Sequence, residues 1–320
     1  MKHTNIAIIL SLLAIEVLVA SHVYGENSFL PGERVLFEAH NCYPYHGLWR
    51  NRIDVALAAS FPLGIELDLM WHEGEENDAG RLVVAHNGPL TDQEPTLEAY
   101  FFERVRSYVE QALASGDTTD WPLITLNIND IRSNRPEPFE EIQRLTETYK
   151  DWLCTATKGA APDPPAPLTV RPVLVLSNSR NLAVQHFYDA VPEGGALRVF
   201  GSGSADRDAD NFRRWINYGW GAVEPEGQRY ATAWNTEKEE RLHALVQNAH
   251  DRGYWIRFFS LNGHGPIAGL RLGLNPFYNF GSLDAAQIRW GAACEAGVDF
   301  IATDQIAQAQ QFERAAELRD

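Results

Sequence analysis

The sequence predicts a single-domain (β/α)8 barrel, in which eight parallel strands close on themselves and helices cover the outside. The first observation is length, because the roughly 295 residues after position 25 fit one large α/β barrel. The second is order, since β-type and helical runs alternate along the whole chain. The third is number, because the alternation continues for eight strands, whereas an open doubly wound sheet usually stops near six.

The predicted strands are short apolar runs bounded by polar or turn-forming residues. In chain order they cover residues 35–40, 64–70, 82–86, 122–128, 173–177, 197–200, 254–260 and 300–303. One further apolar stretch, at 230–234, is surplus to this count. Active residues of such barrels lie at the carboxyl ends of the strands, so the residues that end each run are the candidates for chemistry.

The predicted helices lie between these strands and show apolar residues at helical spacing. The clearest is 95–114, where Leu97, Phe101, Val105 and Val109 repeat every four residues. The full set covers residues 51–60, 95–114, 139–153, 181–191, 211–218, 237–252 and 284–296. Residues 158–167 contain four prolines, and because the alternation resumes directly they indicate a loop within one domain.

The first 25 residues have the features of a secretory signal. A basic start is followed by an apolar run from Ile6 to Ala20 and then by small residues up to Gly25. A membrane anchor is the less favoured reading, because Glu16 interrupts the run and no basic flank follows it. We therefore expect a signal peptide at 1–25, a secreted or periplasmic barrel at 26–320, and no transmembrane segment after cleavage.

Composition limits the partners. The net charge of −16 argues against nucleic acid and against adsorption to acidic lipid through a basic surface. Three cysteines, Cys42, Cys154 and Cys294, allow at most one disulfide, and their spacing does not match a metal site.

Residues 64–69 form the segment with the most chemical information. Strict alternation places Glu66 and Asp68 on one face of a strand, where two ionised carboxylates favour a divalent cation between them. Apolar runs on either side end in His40 and His86, each followed by asparagine. If these three runs are neighbouring parallel strands, two imidazoles flank an acid pair, an arrangement suited to acid–base chemistry on a metal-bound anion.

Four segments, 39–41, 64–68, 84–86 and 297–304, together resemble the phosphatidylinositol-specific phospholipase C-like phosphodiesterase superfamily. That superfamily includes glycerophosphodiester phosphodiesterases and sphingomyelinase D-type enzymes. The resemblance implies an α/β barrel in which His40 is the general base and His86 the general acid at a phosphodiester. It also implies that Glu66 and Asp68 hold Ca²⁺ or Mg²⁺, with Asn41 as a neutral oxygen ligand.

The fourth predicted strand departs from the superfamily pattern. Asn127 and Asn129 occupy positions where the superfamily often has an acidic metal ligand and a phosphate-binding lysine. An amide oxygen at Asn127 still permits a weaker metal site, and Asn129 becomes a candidate substrate contact. Arg257 and Trp255 are further candidate substrate contacts, provided that their shared strand face points into the barrel.

The function expected from the sequence is a secreted, metal-assisted phosphodiesterase that cleaves a small-molecule or lipid diester. Two alternatives stay open. A glycoside hydrolase is disfavoured, because its two carboxylates must flank the sugar roughly 5 to 9.5 Å apart, while Glu66 and Asp68 share one strand face. A catalytically silent, ligand-binding barrel stays open because of the two asparagines on the fourth strand.

Overall fold

The computed structural model describes residues 29–74 and 80–317. Its main feature is a closed barrel of eight parallel strands, so the predicted fold class is confirmed. The predicted signal peptide lies outside the described residues. The barrel strands are β1 (Leu36–Ala39), β2 (Leu63–Glu66), β5 (Ile124–Ile128), β7 (Val173–Ser177), β9 (Phe200–Ser202), β10 (Arg213–Gly219), β11 (Trp255–Phe259) and β12 (Phe300–Thr303).

Two short antiparallel pairs lie outside the barrel. Strands β3 (Leu69–His72) and β4 (Arg81–Val84) form a hairpin directly after β2. Strands β6 (Ala156–Thr157) and β8 (Ala196–Leu197) form a second, shorter pair. The hairpin matters for function because it carries the chain from the end of β2 to His86.

The described residues contain eight α-helices, which lie between or after the strands. They are α1 (Arg52–Leu57), α2 (Glu103–Ser115), α3 (Glu137–Thr148), α4 (Asn181–Val184), α5 (Thr236–Asp251), α6 (Pro266–Arg271), α7 (Leu283–Glu295) and α8 (Ile306–Glu317). Short turns of 3-10 or π helix extend several of them, at Glu98–Phe102, Lys150–Trp152 and Gln185–Asp189. None of the helices in the described ranges has the length and apolar character that a membrane crossing requires.

The structure corrects three predicted elements. Residues 82–86 belong to the hairpin and not to the barrel, because Arg81–Val84 pairs antiparallel with Leu69–His72. Residues 211–218 were predicted to be a helix, but Arg213–Gly219 is a barrel strand that pairs with β9 and β11. The surplus run at 230–234 follows a 3-10 turn at Gln228–Tyr230 and forms no strand. The count of eight strands was reached because the first two errors compensate each other.

The barrel interior has an apolar lower layer and a polar upper layer. Glu38 on β1 contacts Arg257 on β11, and since β12 lies between these strands, both side chains must point inward. Alternation then places Leu36 and Trp255 inward as well, one layer lower. That lower layer packs as one apolar cluster, closed from below by Phe29, whose ring lies 5.2 Å from that of Trp255.

A larger apolar cluster fills the space between the strands and the helices. It contains the outward residues of the strands, such as Phe37, Ile65, Leu126 and Ile256. Burial on both sides holds the strands rigidly, and the polar upper layer of the interior opens at their carboxyl ends.

Candidate active site

An open cleft of about 440 Å³ lies at the carboxyl ends of the barrel strands. The first residues after β1, β5 and β12 line it, as expected for this fold. Of the nine residues that the sequence predicted for the site, the cleft brings together seven, which are His40, Asn41, Glu66, Asp68, His86, Asn129 and Arg257.

His40, directly after β1, is held between two carboxylates. Its Nδ1 lies 3.1 Å from Oδ1 of Asp304, the first residue after β12. Its Nε2 lies 3.3 Å from Oε2 of Glu66. Because each ring nitrogen faces a carboxylate, the imidazole has a fixed orientation and a stabilised protonated form.

The charge state of His40 follows from these contacts. Burial lowers the pKa of the imidazole, but the negative charges of Glu66 and Asp304 outweigh burial, so the pKa lies above the ordinary value of 6.5. The pKa of Asp304 moves the opposite way. Burial raises it, whereas the hydrogen bond from His40 and the nearby Arg52 guanidinium bring it well below its usual range. Asp304 is therefore ionised at any pH at which the protein is expected to work.

His86 forms a second imidazole–carboxylate pair. Its Nδ1 hydrogen-bonds to Oδ2 of Asp68, and the backbone N–H of Ala85 donates to the carbonyl oxygen of Asp68 at 3.0 Å. The ring of Tyr43 stacks on the imidazole, with 5.2 Å between centroids and 9° between planes. Two contacts thus hold the His86 ring and a third holds the backbone before it, although the hairpin that delivers His86 is not part of the barrel.

Asp68 is the carboxylate with the most altered acidity at this end of the cleft. Burial raises its pKa to about 6, against the hydrogen bond from His86, which lowers it. The like charge of Glu66 adds to the increase. A carboxylate of this kind holds a proton more readily than an exposed aspartate.

Arg257 lies at the base of the cleft and is 1% exposed. Its Nε donates to Oε1 of Glu38 at 2.7 Å, its Nη2 lies 3.4 Å from Oε1 of Glu66, and its Nη1 donates to Oδ1 of Asn217 at 2.9 Å. The strand face that carries Arg257 therefore points into the barrel, which is the condition on which its candidate role depended. Gly64 makes room for this arrangement, since a Cβ there would lie 2.6 Å from Cγ of Glu38.

Two of the asparagines predicted as metal ligands use their amide oxygens within the protein. Oδ1 of Asn41 accepts a hydrogen bond of 2.7 Å from the Tyr43 hydroxyl. Asn127 does not line the cleft, which corrects its expected placement. It is fully buried, its Oδ1 accepts from the backbone N–H of Asn129 at 3.0 Å, and its Nδ2 donates to Glu38. The backbone of Asn41, at φ +56°, directs its N–H to Oε2 of Glu66 at 3.0 Å.

The expected placement of Trp255 also needs correction. Its strand face does point inward, as it does for Arg257, but Trp255 lies one layer deeper and does not line the cleft. Two residues along a strand move a side chain by roughly 7 Å, which here separates the polar layer from the apolar layer. Trp255 therefore packs in the core and not against a ligand in the cleft.

Among the described residues, one group of ligand atoms lies close enough for a divalent cation. Asp68, His86 and Asp130 each offer one atom, all within 4.8 Å of one another. This set differs from the predicted one, because Asp130 joins it and Glu66 does not. It also includes His86, so a cation bound here would take up the imidazole that the sequence assigned to proton transfer.

The guanidinium of Arg132 already lies among these three side chains. Its Nη2 is 2.7 Å from Oδ2 of Asp130, 3.9 Å from Oδ2 of Asp68 and 3.2 Å from Nε2 of His86. The last contact fits the tautomer in which Nδ1 of His86 carries the hydrogen and Nε2 accepts. The implied cation therefore fits this donor set poorly, because the guanidinium of Arg132 already lies among its ligand atoms and balances part of their negative charge.

Several residues of the site were not assigned a role from the sequence, among them Tyr43, Asp130, Arg132 and Asp304. Asp304 follows the last strand, and Asp130 and Arg132 follow the strand that ends at Ile128. Their position after a barrel strand is the feature of the sequence that could have identified them. Tyr43 gave no such signal, because its contact with His86 depends on how the hairpin folds over the barrel.

Comparison with known proteins gives only remote likenesses. No family model matches the chain, and no curated protein matches it in sequence. The barrel is similar to a glycerophosphoryl diester phosphodiesterase from Parabacteroides distasonis, with 12% identity, a TM-score of 0.36 and coverage of 92% of this chain and 89% of that one. It is also similar to an HPPK-DHPS from Plasmodium falciparum, with 8% identity, a TM-score of 0.43 and coverage of 91% of this chain and 48% of that one. Neither likeness carries an argument about activity.

Proposed function

We propose that this protein is an exported phosphodiesterase that uses His40 and His86 for general acid–base catalysis. One imidazole takes a proton from the attacking group, and the other gives a proton to the leaving group. The observation that carries the proposal is that two imidazoles line one cleft and that a buried carboxylate holds Nδ1 of each ring. A carboxylate on Nδ1 sets the tautomer and stabilises the imidazolium that forms when Nε2 takes a proton. Two such pairs in one cleft supply a base for the attacking group and an acid for the leaving group.

His40 is the general base of the proposed reaction. It takes the proton of the attacking hydroxyl, while Asp304 keeps the ring oriented and balances the charge that develops on it. The attacking hydroxyl belongs to water or to the substrate itself. Product analysis distinguishes the two, since water gives a phosphomonoester and an internal hydroxyl gives a cyclic phosphate.

His86 is the general acid. Its Nε2 faces the guanidinium of Arg132 at 3.2 Å, so a phosphate bound by Arg132 lies next to the imidazole that serves its leaving oxygen. In this step His86 is the imidazolium, so that Nε2 gives its proton to the leaving oxygen while Nδ1 keeps its hydrogen bond to Asp68. Tyr43, stacked on the ring, keeps Nε2 directed into the cleft.

The substrate class follows from charge and from location. A net charge of −16 disfavours anionic membrane surfaces, so a small soluble or a zwitterionic diester, of glycerophosphodiester or phospholipid type, fits better. Asn129 lines the cleft as a neutral contact for such a substrate. Export is proposed from the leader at 1–25, with the barrel domain from 26 to 320.

Of the features that the resemblance implies, the Ca²⁺ or Mg²⁺ ion has the least support from these residues. The cluster of Asp68, His86 and Asp130 would be its place, and it would there lower the negative charge of a bound diester. The proton transfers above use His40 and His86 alone, so they do not depend on an ion.

A panel of substrates tests the proposal against its alternatives. Purified protein is assayed on glycerophosphodiesters, phospholipids, aryl phosphodiesters and aryl glycosides, beside His40→Ala. Diester turnover that His40→Ala reduces at least a hundredfold supports the proposal. Turnover of glycosides alone identifies a glycoside hydrolase, and no turnover of any substrate leaves the ligand-binding barrel.

A further inference from the structure

Glu66, one of the two predicted metal-binding carboxylates, has both oxygens occupied by groups of this chain. Oε2 accepts the backbone N–H of Asn41 at 3.0 Å and lies 3.3 Å from Nε2 of His40. Oε1 lies 3.4 Å from Nη2 of Arg257. The carboxylate is buried, so these contacts, and not solvent, determine its charge balance.

The negative charge in the barrel interior is also distributed differently from the arrangement that the resemblance implies. An amide, Asn127, lies on the strand where an acidic ligand was expected, and a fully buried carboxylate, Glu38, lies opposite it on β1. Arg257 joins the two carboxylates, since its guanidinium contacts Glu38 and Glu66 together. The acid pair in this layer is therefore Glu38 and Glu66, and the cation between them is Arg257.

We infer that Arg257 takes the place of the divalent cation at Glu66, so that the cleft binds and polarises its phosphodiester without Ca²⁺ or Mg²⁺ at this position. The inference rests on the proposed phosphodiesterase activity. Arg257 lines the cleft and has five N–H donors, of which its contacts with Glu38, Glu66 and Asn217 use four. The remaining Nη1 hydrogen can reach an oxygen of a bound phosphate.

Arg257 cannot readily move aside for an ion. It is 1% exposed, and its partner Glu38 is 0% exposed. Moving the guanidinium would leave Glu38 as a buried, unpaired carboxylate, and an ion bound at Glu66 beside the guanidinium would face a like charge at close range. Arg132 plays the corresponding part at Asp68 and Asp130, where its side chain is more exposed than that of Arg257.

The first test is kinetic. Diester turnover of the full chain is measured after treatment with chelator, then with added Ca²⁺ or Mg²⁺, for wild type, Arg257→Gln and Arg289→Gln. Arg289 is a matched control, because it is also a buried arginine on a fully buried glutamate, Glu224, but lies outside the cleft. The expected result is wild-type activity within twofold with or without chelator, and a kcat/KM at least a hundredfold lower in Arg257→Gln than in Arg289→Gln.

The contrary kinetic results are equally specific. Wild-type activity that chelator abolishes and that either ion restores overturns the inference. So does an Arg257→Gln variant that is as active as Arg289→Gln. If Arg257→Gln does not fold, Arg257→Lys decides. Turnover that falls and that added Ca²⁺ or Mg²⁺ raises again supports the inference, because the ion then takes the place of the guanidinium, and turnover equal to that of wild type with or without an ion overturns it.

The second test is calorimetric and needs no substrate, so it separates this inference from the proposed function. Ca²⁺ and Mg²⁺ are titrated into wild type and Glu66→Gln. Saturable binding that Glu66→Gln removes overturns the inference. Absence of binding supports it, as does binding that survives Glu66→Gln, because the ion is then not held by Glu66. If wild type cleaves none of the diesters, the proposed function fails while this measurement still decides where the ion goes.

Discussion

Asp304→Asn is the change that most sharply probes the proposed role of His40. The carboxylate accepts four hydrogen bonds, of which three converge on Oδ1, from His40 at 3.1 Å, Asn41 at 2.8 Å and Arg52 at 3.1 Å. The fourth reaches Oδ2 from Asn262 at 2.9 Å. An amide has one oxygen and one NH₂ group, so at least one of these donors faces another donor in the variant.

The expected magnitude has a stability part and a catalytic part. Leaving a buried donor without its acceptor costs about 1–3 kcal/mol in the free energy of unfolding. Loss of the carboxylate that orients a catalytic imidazole lowers kcat by up to about 10⁴-fold in enzymes of known mechanism, and general-base catalysis as such contributes about 10²–10⁴-fold. We therefore expect kcat/KM to fall by about 10²–10⁴, which is about 2.7–5.5 kcal/mol of transition-state stabilisation.

The pKa of His40 determines the direction in which the pH profile of kcat/KM moves in Asp304→Asn. A general base works only when deprotonated, so activity falls as the pH drops through the pKa of His40. Burial lowers that pKa, and Glu66 and Asp304 raise it above its ordinary value. Removing the charge of Asp304 lowers it again, so the acid limb of the kcat/KM profile moves to lower pH in Asp304→Asn.

The assay is a pH profile of kcat/KM between about pH 4 and 9, at a temperature where the variant is folded by circular dichroism. Asp130→Asn is the matched control, since Asp130 lines the same cleft but contacts Arg132 and not His40. We expect its acid limb to stay in place. The reasoning is refuted if Asp304→Asn keeps activity within threefold of wild type, or if its acid limb is unmoved or shifts to higher pH.

Three further predictions concern the scaffold. Gly64→Ala places a Cβ 2.6 Å from Cγ of Glu38 and should lower the free energy of unfolding, measured by urea titration, by about 1–3 kcal/mol. Gly221→Ala is the control, because its Cβ meets nothing within 4 Å, and it should change the free energy of unfolding by less than about 1 kcal/mol. Equal losses in the two variants would count against the described packing of the barrel interior. Trp255→Ala should cost about 3–5 kcal/mol of stability and leave KM unchanged, and a raised KM with little loss of stability would return Trp255 to the substrate site. Burial raises the pKa of Glu224, but hydrogen bonds from two basic side chains outweigh burial and keep it below its ordinary value of 4.5. Stability from this group is therefore present above that value and lost as the pH falls through the folded-state pKa, so Glu224→Gln should show a shallower loss on acidification, and an unchanged slope would contradict this.

The sequence predicted the barrel because its strands follow simple rules. Seven of the eight barrel strands were located from short apolar runs, since burial against the helices makes most of their outward residues apolar. The strand at Arg213–Gly219 was missed. Its inward face carries the polar Asn217 as well as Trp215, so apolar residues do not alternate along this strand. The apolar residues at 212, 215 and 216 instead follow the spacing of a helix, which is why a helix was predicted.

The opposite error at 82–86 has a different cause. Arg81–Val84 is as apolar as a barrel strand, and nothing in its composition distinguishes a hairpin partner from a parallel neighbour. Only the pairing with Leu69–His72 settles the matter, and pairing is set by the turn and the register. His86 still reaches the cleft, because the hairpin returns the chain to Asp68 through the hydrogen bond from Ala85.

The sequence could not predict which charged side chains contact one another in the site. The acid pair at Glu66 and Asp68 suggested one cation between two carboxylates. In the structure each carboxylate has its own partners, and Glu66 faces Arg257 from a strand nearly two hundred residues away. Contacts between such distant positions leave no mark in local pattern, so the prediction of a metal site rested on the acid pair and on the resemblance.

The most direct test of the central claim compares two leaving groups. A nitrophenyl diester expels a phenolate that needs no proton, while an alkyl diester such as a glycerophosphodiester expels an alkoxide that does. We predict that His86→Ala loses at least a hundredfold more kcat/KM on the alkyl diester than on the nitrophenyl diester, and that His40→Ala loses similarly on both. Equal losses for His86→Ala on both substrates, or full activity in either variant, would contradict the assignment of His40 as general base and His86 as general acid.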